Sequence, residues 1–182
     1  ADVYNNLSMS GINTPLENIP KARKLVSKAL ELDPDLSEAY MIIADIKNTY
    51  ERDKKEAEEL YKKSIQLNPG SATAHSYYGM FLMSLTRYDE ALLEVKKSLK
   101  LDPLSLTLNM NGSYLSLFAK DEELRKQTTQ KLLILNPDSS SVRLFLAADY
   151  FYQEKYDDVL TILSGNTDQG LEDGVSTLLA CT

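Results

Sequence analysis

The two side chains that most often carry out chemistry near neutral pH occur once each, as His75 and Cys181. They stand 106 positions apart, and one histidine with one cysteine cannot assemble the closed ligand set of a zinc site. His75 falls within a helical stretch and reads as a packing residue, with a polar contact or pH role as the alternative. Cys181 reads as an inert thiol, and a single cysteine excludes an internal disulfide. The carboxylate clusters Glu56, Glu58, Glu59 and Asp121, Glu122, Glu123 alternate with lysines at helical spacing, which suits solvated i,i+4 pairs better than paired general acids. The seven glycines are scattered and no Gly-Lys-Ser/Thr run exists to cradle a phosphate. Asn6-Leu7-Ser8 and Asn111-Gly112-Ser113 fit the glycosylation acceptor, a match of three residues that carries little alone. No catalytic, cofactor-binding or metal-binding residue is assigned, no cofactor is expected, and the chain reads as a non-enzyme.

What positions these residues is a refrain: Leu32-Asp33-Pro34, Leu67-Asn68-Pro69, Leu101-Asp102-Pro103 and Leu135-Asn136-Pro137. The prolines are spaced 35, 34 and 34 residues apart, and self-similarity at such a period marks a stacked repeat. Each interval reads as two amphipathic helices. Leu36, Ala39, Tyr40, Ile43, Ala44 and Ile46 recur at three- and four-residue steps, as do Ala57, Leu60, Tyr61, Ser64, Ile65 and Leu67 after a break near Arg52-Asp53. So short a connection folds the pair back antiparallel. Proline disfavours helix in the residue before it and fits the first turn of the next helix, so one tripeptide stops one helix and permits another. The single extra residue of the first interval is expected in the turn near Arg52-Asp53. Gly79 in mid-helix costs roughly 1 kcal/mol against Ala and implies a close helix contact.

The chain of 182 residues, 43% hydrophobic and 26% charged, is ordinary for one globular domain. Its 27 acidic and 20 basic residues give a net charge of −7, which repels phosphate backbones and argues against direct nucleic-acid binding. The longest apolar runs, such as Met80 to Leu85, fall well short of the ~20 residues that cross a bilayer, so no membrane insertion is expected. The sequence begins without Met and stops inside an apolar run, and is read as a piece of a longer, cytoplasmic protein.

On these residues the chain resembles the tetratricopeptide repeats. The small Ala44 and Gly79 of the first helices match that pattern, as do Ala22, Ala57 and Ala91 early in the second helices, Ala29, Ser64 and Ser98 later in them, and the large Tyr40, Ile43, Tyr78, Val26, Tyr61 and Val95. The resemblance implies an all-α, right-handed superhelix, an α-solenoid of about five helix-turn-helix units spanning residues 3–36, 37–71, 72–105, 106–139 and 140–170. Residues 171–182 would cap the stack or open a truncated sixth unit. Two places depart from the pattern: the first helix of the first unit is short and interrupted by Gly11 and Pro15, and Arg125 and Thr129 stand where an alanine and a large apolar residue belong.

In such repeats the first helices line a concave groove. Carried over, the groove would present Met41, Asp45, Asn48 and Thr49; then Ser76, Met80, Met83 and Ser84; then Met110, Tyr114, Leu117 and Phe118; then Leu144, Ala148, Phe151 and Tyr152. Methionine adapts to varied shapes, and a Met- and aromatic-lined groove suits a helix or apolar peptide of a protein partner. Packing between helices, or cover by another part of the same protein, is the alternative for these side chains. The named positions hold no Lys or Arg, so they lack the clamp with which relatives capture acidic chaperone tails. The function implied is a protein-protein interaction scaffold, with homo-oligomers possible. A second resemblance, carried by Lys100 to Asn109 and the interrupted first unit, is to repeat regions of bacterial signalling proteins that follow a winged-helix, cyclase or kinase domain; there the module would be regulatory.

Overall fold

The computed structural model describes residues 15–164, with side chains from 19 to 163. Every element among them is helical: α1 Pro15–Leu32, α2 Ser37–Ile46 continuing into a π-turn at Lys47–Glu51, α3 Lys54–Leu67, α4 Ala72–Ser84, α5 Tyr88–Leu101, α6 Leu106–Ala119, α7 Glu122–Leu135, α8 Ser140–Tyr152 and α9 Tyr156–Ser164. The expected first helix of the first unit, the end of the fifth unit and the 171–182 tail lie outside the described residues. Backbone contacts divide the chain into two compact blocks, residues 1–81 and 82–182, with the division inside α4.

The refrain works through its side chains. Asp33, Asn68 and Asp102 each turn Oδ1 onto the N–H two residues on, at 3.1, 3.2 and 3.3 Å, so Asp and Asn form Asx turns that bend the chain past the proline. The carbonyl left open at the bend is then met from the next helix. Tyr40 donates its hydroxyl to the Pro34 carbonyl at 2.9 Å, His75 Nε2 lies 3.0 Å from the Pro69 carbonyl, and Asn109 donates to the Pro103 carbonyl at 3.1 Å. In the fourth copy Arg143 reaches the neighbouring Asp138 carbonyl at 3.3 Å. All four side chains sit six residues after their proline. His75, wholly buried, is thus both packing and a cap.

Between paired helices the chain turns through a left-handed residue: Arg52, Thr86, Lys120 and Glu154, with φ of 57°, 58°, 54° and 61°, each 34 positions after the last. The turn therefore keeps one period throughout, and the extra residue of the first interval must precede it. Hydrogen bonds locate it. The N–H after the left-handed residue closes on the carbonyls of Leu82, Ser116 and Tyr150, four positions before that residue, in the later copies. In the first copy Asp53 closes on Lys47, five positions before Arg52. The residue expected in the turn is instead absorbed within Lys47–Glu51 as a π-turn, which accommodates one additional residue in a helix without shifting either flank.

In the first block, α2 and α3 approach closely because Ala39, Ala44 and Ala57 present almost no bulk. Ser37 Oγ donates to the Ser64 carbonyl at 2.9 Å, joining the two helices. Tyr61 fills the centre, with its ring 6.0 Å from Tyr78 and 5.2 Å from Phe81. Arg23 of α1 pairs with Glu51, and Lys47 bridges Glu51 and Glu56 at 3.0 and 2.6 Å, which ties the π-turn to both neighbours.

In the second block, Val95 of α5, Leu115 of α6, Leu124 and Leu132 of α7, and Val142 and Ala147 of α8 form the core. A Cβ at Gly112 would stand 3.0 Å from Thr128 Cγ2 and 3.1 Å from Leu99 Cδ1, so α6 is crowded by α5 and α7 at that point. Ile43, Tyr78 and Leu146 take the same place in the other copies.

Candidate docking faces

In the first block, Met41, Asp45 and Ser76 are buried, and Asn48 and Met80 are half-buried. Asp45 accepts from Tyr61 Oη at 3.4 Å. Burial first, then the adjacent Asp45 carboxylate, pushes the Tyr61 hydroxyl far above its ordinary range, so it stays a proton donor. Asn48 accepts from Lys54 Nζ at 2.5 Å, and Thr49 is exposed on the π-turn. The outward positions of the π-turn named here are therefore polar, while α4 carries no charged residue at all.

In the second block, Leu117 and Ala148 are buried, whereas Met83, Met110, Tyr114, Phe118, Leu144, Phe151 and Tyr152 are half-buried. The rings meet in two sets, one on α6 and one on α8 and α9. Tyr114 and Phe118 meet edge to face at 5.0 Å and 63°. Tyr152 Oη lies 3.5 Å from the Leu117 carbonyl, which brings α8 beside α6, and Phe151 meets Tyr152 at 6.2 Å and 89°. Phe151 then meets Tyr156, the first residue of α9, at 5.7 Å and 72°. Tyr156 is 55% exposed; the first-helix register missed it because it belongs to a second helix.

Arg125 explains the irregular α7. Its guanidinium is buried and donates from Nε to Asp149 Oδ1 at 2.8 Å, while Gln153 donates to the other carboxylate oxygen at 2.8 Å. The same guanidinium lies 4.7 Å from the centre of the Tyr152 ring, a cation–π contact from beneath the second set. Asp149 takes the place of Ile46, Phe81 and Leu115, and Arg125 that of Ala57 and Ala91, so one charge substitution compensates the other. Thr129 is also buried, its hydroxyl without a partner.

No group of residues able to hold a metal ion occurs among the described residues, and none of their helices is long and apolar enough to cross a membrane.

Residues 37–71 match the family profile described as tetratricopeptide repeat. The type IV pilus assembly protein PilF of Pseudomonas aeruginosa is 33% identical over 141 residues, 76% of this chain and 55% of PilF. The transcriptional regulator HilA of Salmonella typhimurium is 32% identical over 103 residues, 57% of this chain and 18% of HilA. The chain thus spans about half the length of the first of these relatives and much less of the second. Among solved structures, P. aeruginosa PilF superposes with a TM-score of 0.70 at 24% identity, covering 99% of this chain and 87% of that one. YrrB, a repeat protein with a peptide-binding site described as unusual, superposes with a TM-score of 0.62 at 19% identity, covering 90% and 80%. Both likenesses establish an all-α solenoid fold.

Proposed function

The chain is a tetratricopeptide-repeat protein, and from that premise we propose that it is a non-catalytic scaffold of about five repeats whose first helices receive a segment of a partner protein. The observation that carries the reading is the second block's set of half-buried Met and aromatic side chains on α6 and α8, with ring pairs on each helix and the Tyr152 hydroxyl 3.5 Å from the Leu117 carbonyl between them. A contiguous apolar strip on a monomer marks a place of association. Apolar burial would drive docking at roughly 25 cal/mol per Å², less the cost of ordering both partners. The likeness to PilF supports a setting in which the scaffold holds a component of a larger assembly. The groove positions named from the sequence hold no Lys or Arg, so an acidic tail would meet no cationic clamp among them.

Pull-down with the full-length protein tests this, with Tyr114→Ala and Phe118→Ala as controls. The reading expects a partner held by the wild type and lost from both variants while the helical thermal transition persists. Collapse of that transition would instead assign those rings to the core.

A second reading is favoured by the likeness to HilA: a cytoplasmic regulatory repeat region within a longer protein, acting on an attached output domain. The neighbouring coding sequence discriminates, since an attached DNA-binding or cyclase domain selects the regulator.

A further inference from the structure

We infer that Asn111-Gly112 is a site of spontaneous covalent modification: the asparagine deamidates when α6 opens, and the product stops α6 from closing again. Of the asparagines in this sequence only Asn111 precedes a glycine, the neighbour that hinders ring closure least because it has no Cβ. The chemistry needs water alone. The Gly112 nitrogen gives its proton to solvent and bonds to Asn111 Cγ, while the bond from Cγ to the carboxamide nitrogen breaks and ammonia leaves. The five-membered imide so formed takes up water at either carbonyl. Opening at Cγ yields aspartate; opening at the main-chain carbonyl yields isoaspartate, whose backbone runs through Cβ and Cγ.

The fold explains both why the pair is present and why it survives. A Cβ at residue 112 would meet Thr128 Cγ2 at 3.0 Å and Leu99 Cδ1 at 3.1 Å, so the packing of α5 and α7 against α6 reserves that place for glycine. Gly112 lies in the middle of α6, where its N–H is committed to the carbonyl four residues back and the helical backbone keeps its nitrogen away from Asn111 Cγ. Attack therefore requires an opened helix, and its rate follows the population of the open form. The glycosylation reading of the same stretch gains nothing from the fold, since Ser113 is buried beside Gly112.

Geometry and charge then block the return. Isoaspartate places an additional carbon in the main chain, which breaks the four-residue hydrogen-bond register of α6. Either product also puts a negative charge on a half-buried position of a helix that has no charged residue. The inference stands on the packing of α6 and does not depend on the scaffold reading above.

Peptide mapping by tandem mass spectrometry, after incubation at mildly alkaline pH, decides the matter. The samples are the native full chain, the same chain in guanidinium chloride, an end-capped peptide of residues 106–116, and Leu115→Ala, which removes a wholly buried side chain of α6. The peptide and the denatured chain should gain the mass of deamidation at Asn111 at a common rate, with the native chain at least about a hundredfold slower. Leu115→Ala should proceed at least about tenfold faster than the native chain. Should that variant fail to fold, its rate must equal that of the peptide, and a slower one refutes the gate. Native chain that deamidates as fast as the peptide with its helical signal intact overturns the inference. So does modified chain that, returned from denaturant, regains the wild-type melting transition. Asn111→Gln should show no mass gain at this position in denaturant; an equal gain would place the chemistry elsewhere.

Discussion

Replacing Asp149 by Ala should be the most damaging single substitution in the second block. Arg125 and Asp149 side chains are only 6% and 11% exposed, and their 2.8 Å bond joins α7 to α8. Without Asp149 the guanidinium remains buried beneath Tyr152 with its counter-charge gone, and Gln153 loses the acceptor for its amide. Breaking a buried pair in this way costs about 3–5 kcal/mol, most of it the penalty of the stranded charge. At about 2–4 °C per kcal/mol for a chain of this size, the melting midpoint should fall by on the order of 10 °C. Nearest-neighbour stabilisation in repeat proteins concentrates the loss at the α7–α8 contact, so amide exchange should accelerate in α8 and α9 before the rest. The reciprocal experiment removes both charges: Arg125→Ala with Asp149→Leu restores the small and apolar types that α3, α5, α2 and α6 use at these places. That double variant should lie within about 1 kcal/mol of wild type or above it, because replacing a buried pair by packed apolar groups is often neutral or stabilising. Denaturant melts of wild type, Arg125→Ala, Asp149→Leu and the double give the coupling energy directly. A loss below about 1 kcal/mol in Asp149→Ala, or a double variant as weak as the singles, would refute the claim that burial makes this pair costly to break.

Three further outcomes follow from the geometry. Thr86→Gly should raise stability by about 1 kcal/mol in a thermal melt, because a β-branched residue at φ 58° is held in a region that costs L-residues roughly 1–2 kcal/mol; an unchanged or lower midpoint would mean that the 2.7 Å bond from its hydroxyl to the Leu85 carbonyl compensates. Ser98→Ala should stabilise, since the buried Ser98 hydroxyl has no partner, whereas Ser37→Ala should cost about 1 kcal/mol by removing the bond to Ser64; urea midpoints moving in the same direction would contradict this. Burial alone would raise the Asp121 carboxyl, but bonds from Lys96 and the Leu124 N–H outweigh it and hold the group below its ordinary value. A depressed carboxyl stabilises above its unfolded value and loses that contribution as pH falls through the folded one, so the wild type should lose stability relative to Asp121→Asn below about pH 4. Parallel acid titrations of the two would exclude the effect.

Much of the architecture was legible because its signals are local. A proline acts on the residue before it, and an Asx turn closes over two residues, so the refrain marks helix ends wherever it stands. The π-turn was not legible in the same way. An additional residue between Pro34 and Arg52 is compatible with a longer turn or a wider helix, and only the register of hydrogen bonds at Lys47 distinguishes them. Arg125 was recognisably out of pattern, but its partner lies 24 residues on, beyond the reach of helical spacing. Groove positions suffered from a different limit. Helices α4 and α6 have no charged residue, so periodicity cannot tell their packed side from their open side; Ser76 and Leu117 proved buried where Met80 and Phe118 are half-exposed.

The carbonyls at the bends impose a kind of selection that residue identity hides. A phenol, an imidazole and a carboxamide meet the proline carbonyl six positions after Pro34, Pro69 and Pro103, and a guanidinium six positions after Pro137 meets the next carbonyl along, that of Asp138. What the site demands is a donor proton of sufficient reach. Alphabetic comparison would score this column as free to vary, and averaging the copies into one ideal repeat could install alanine there and strip the bend of its cap. Exchanging these four side chains among their sites would ask whether the column is neutral drift or one requirement met by four chemistries.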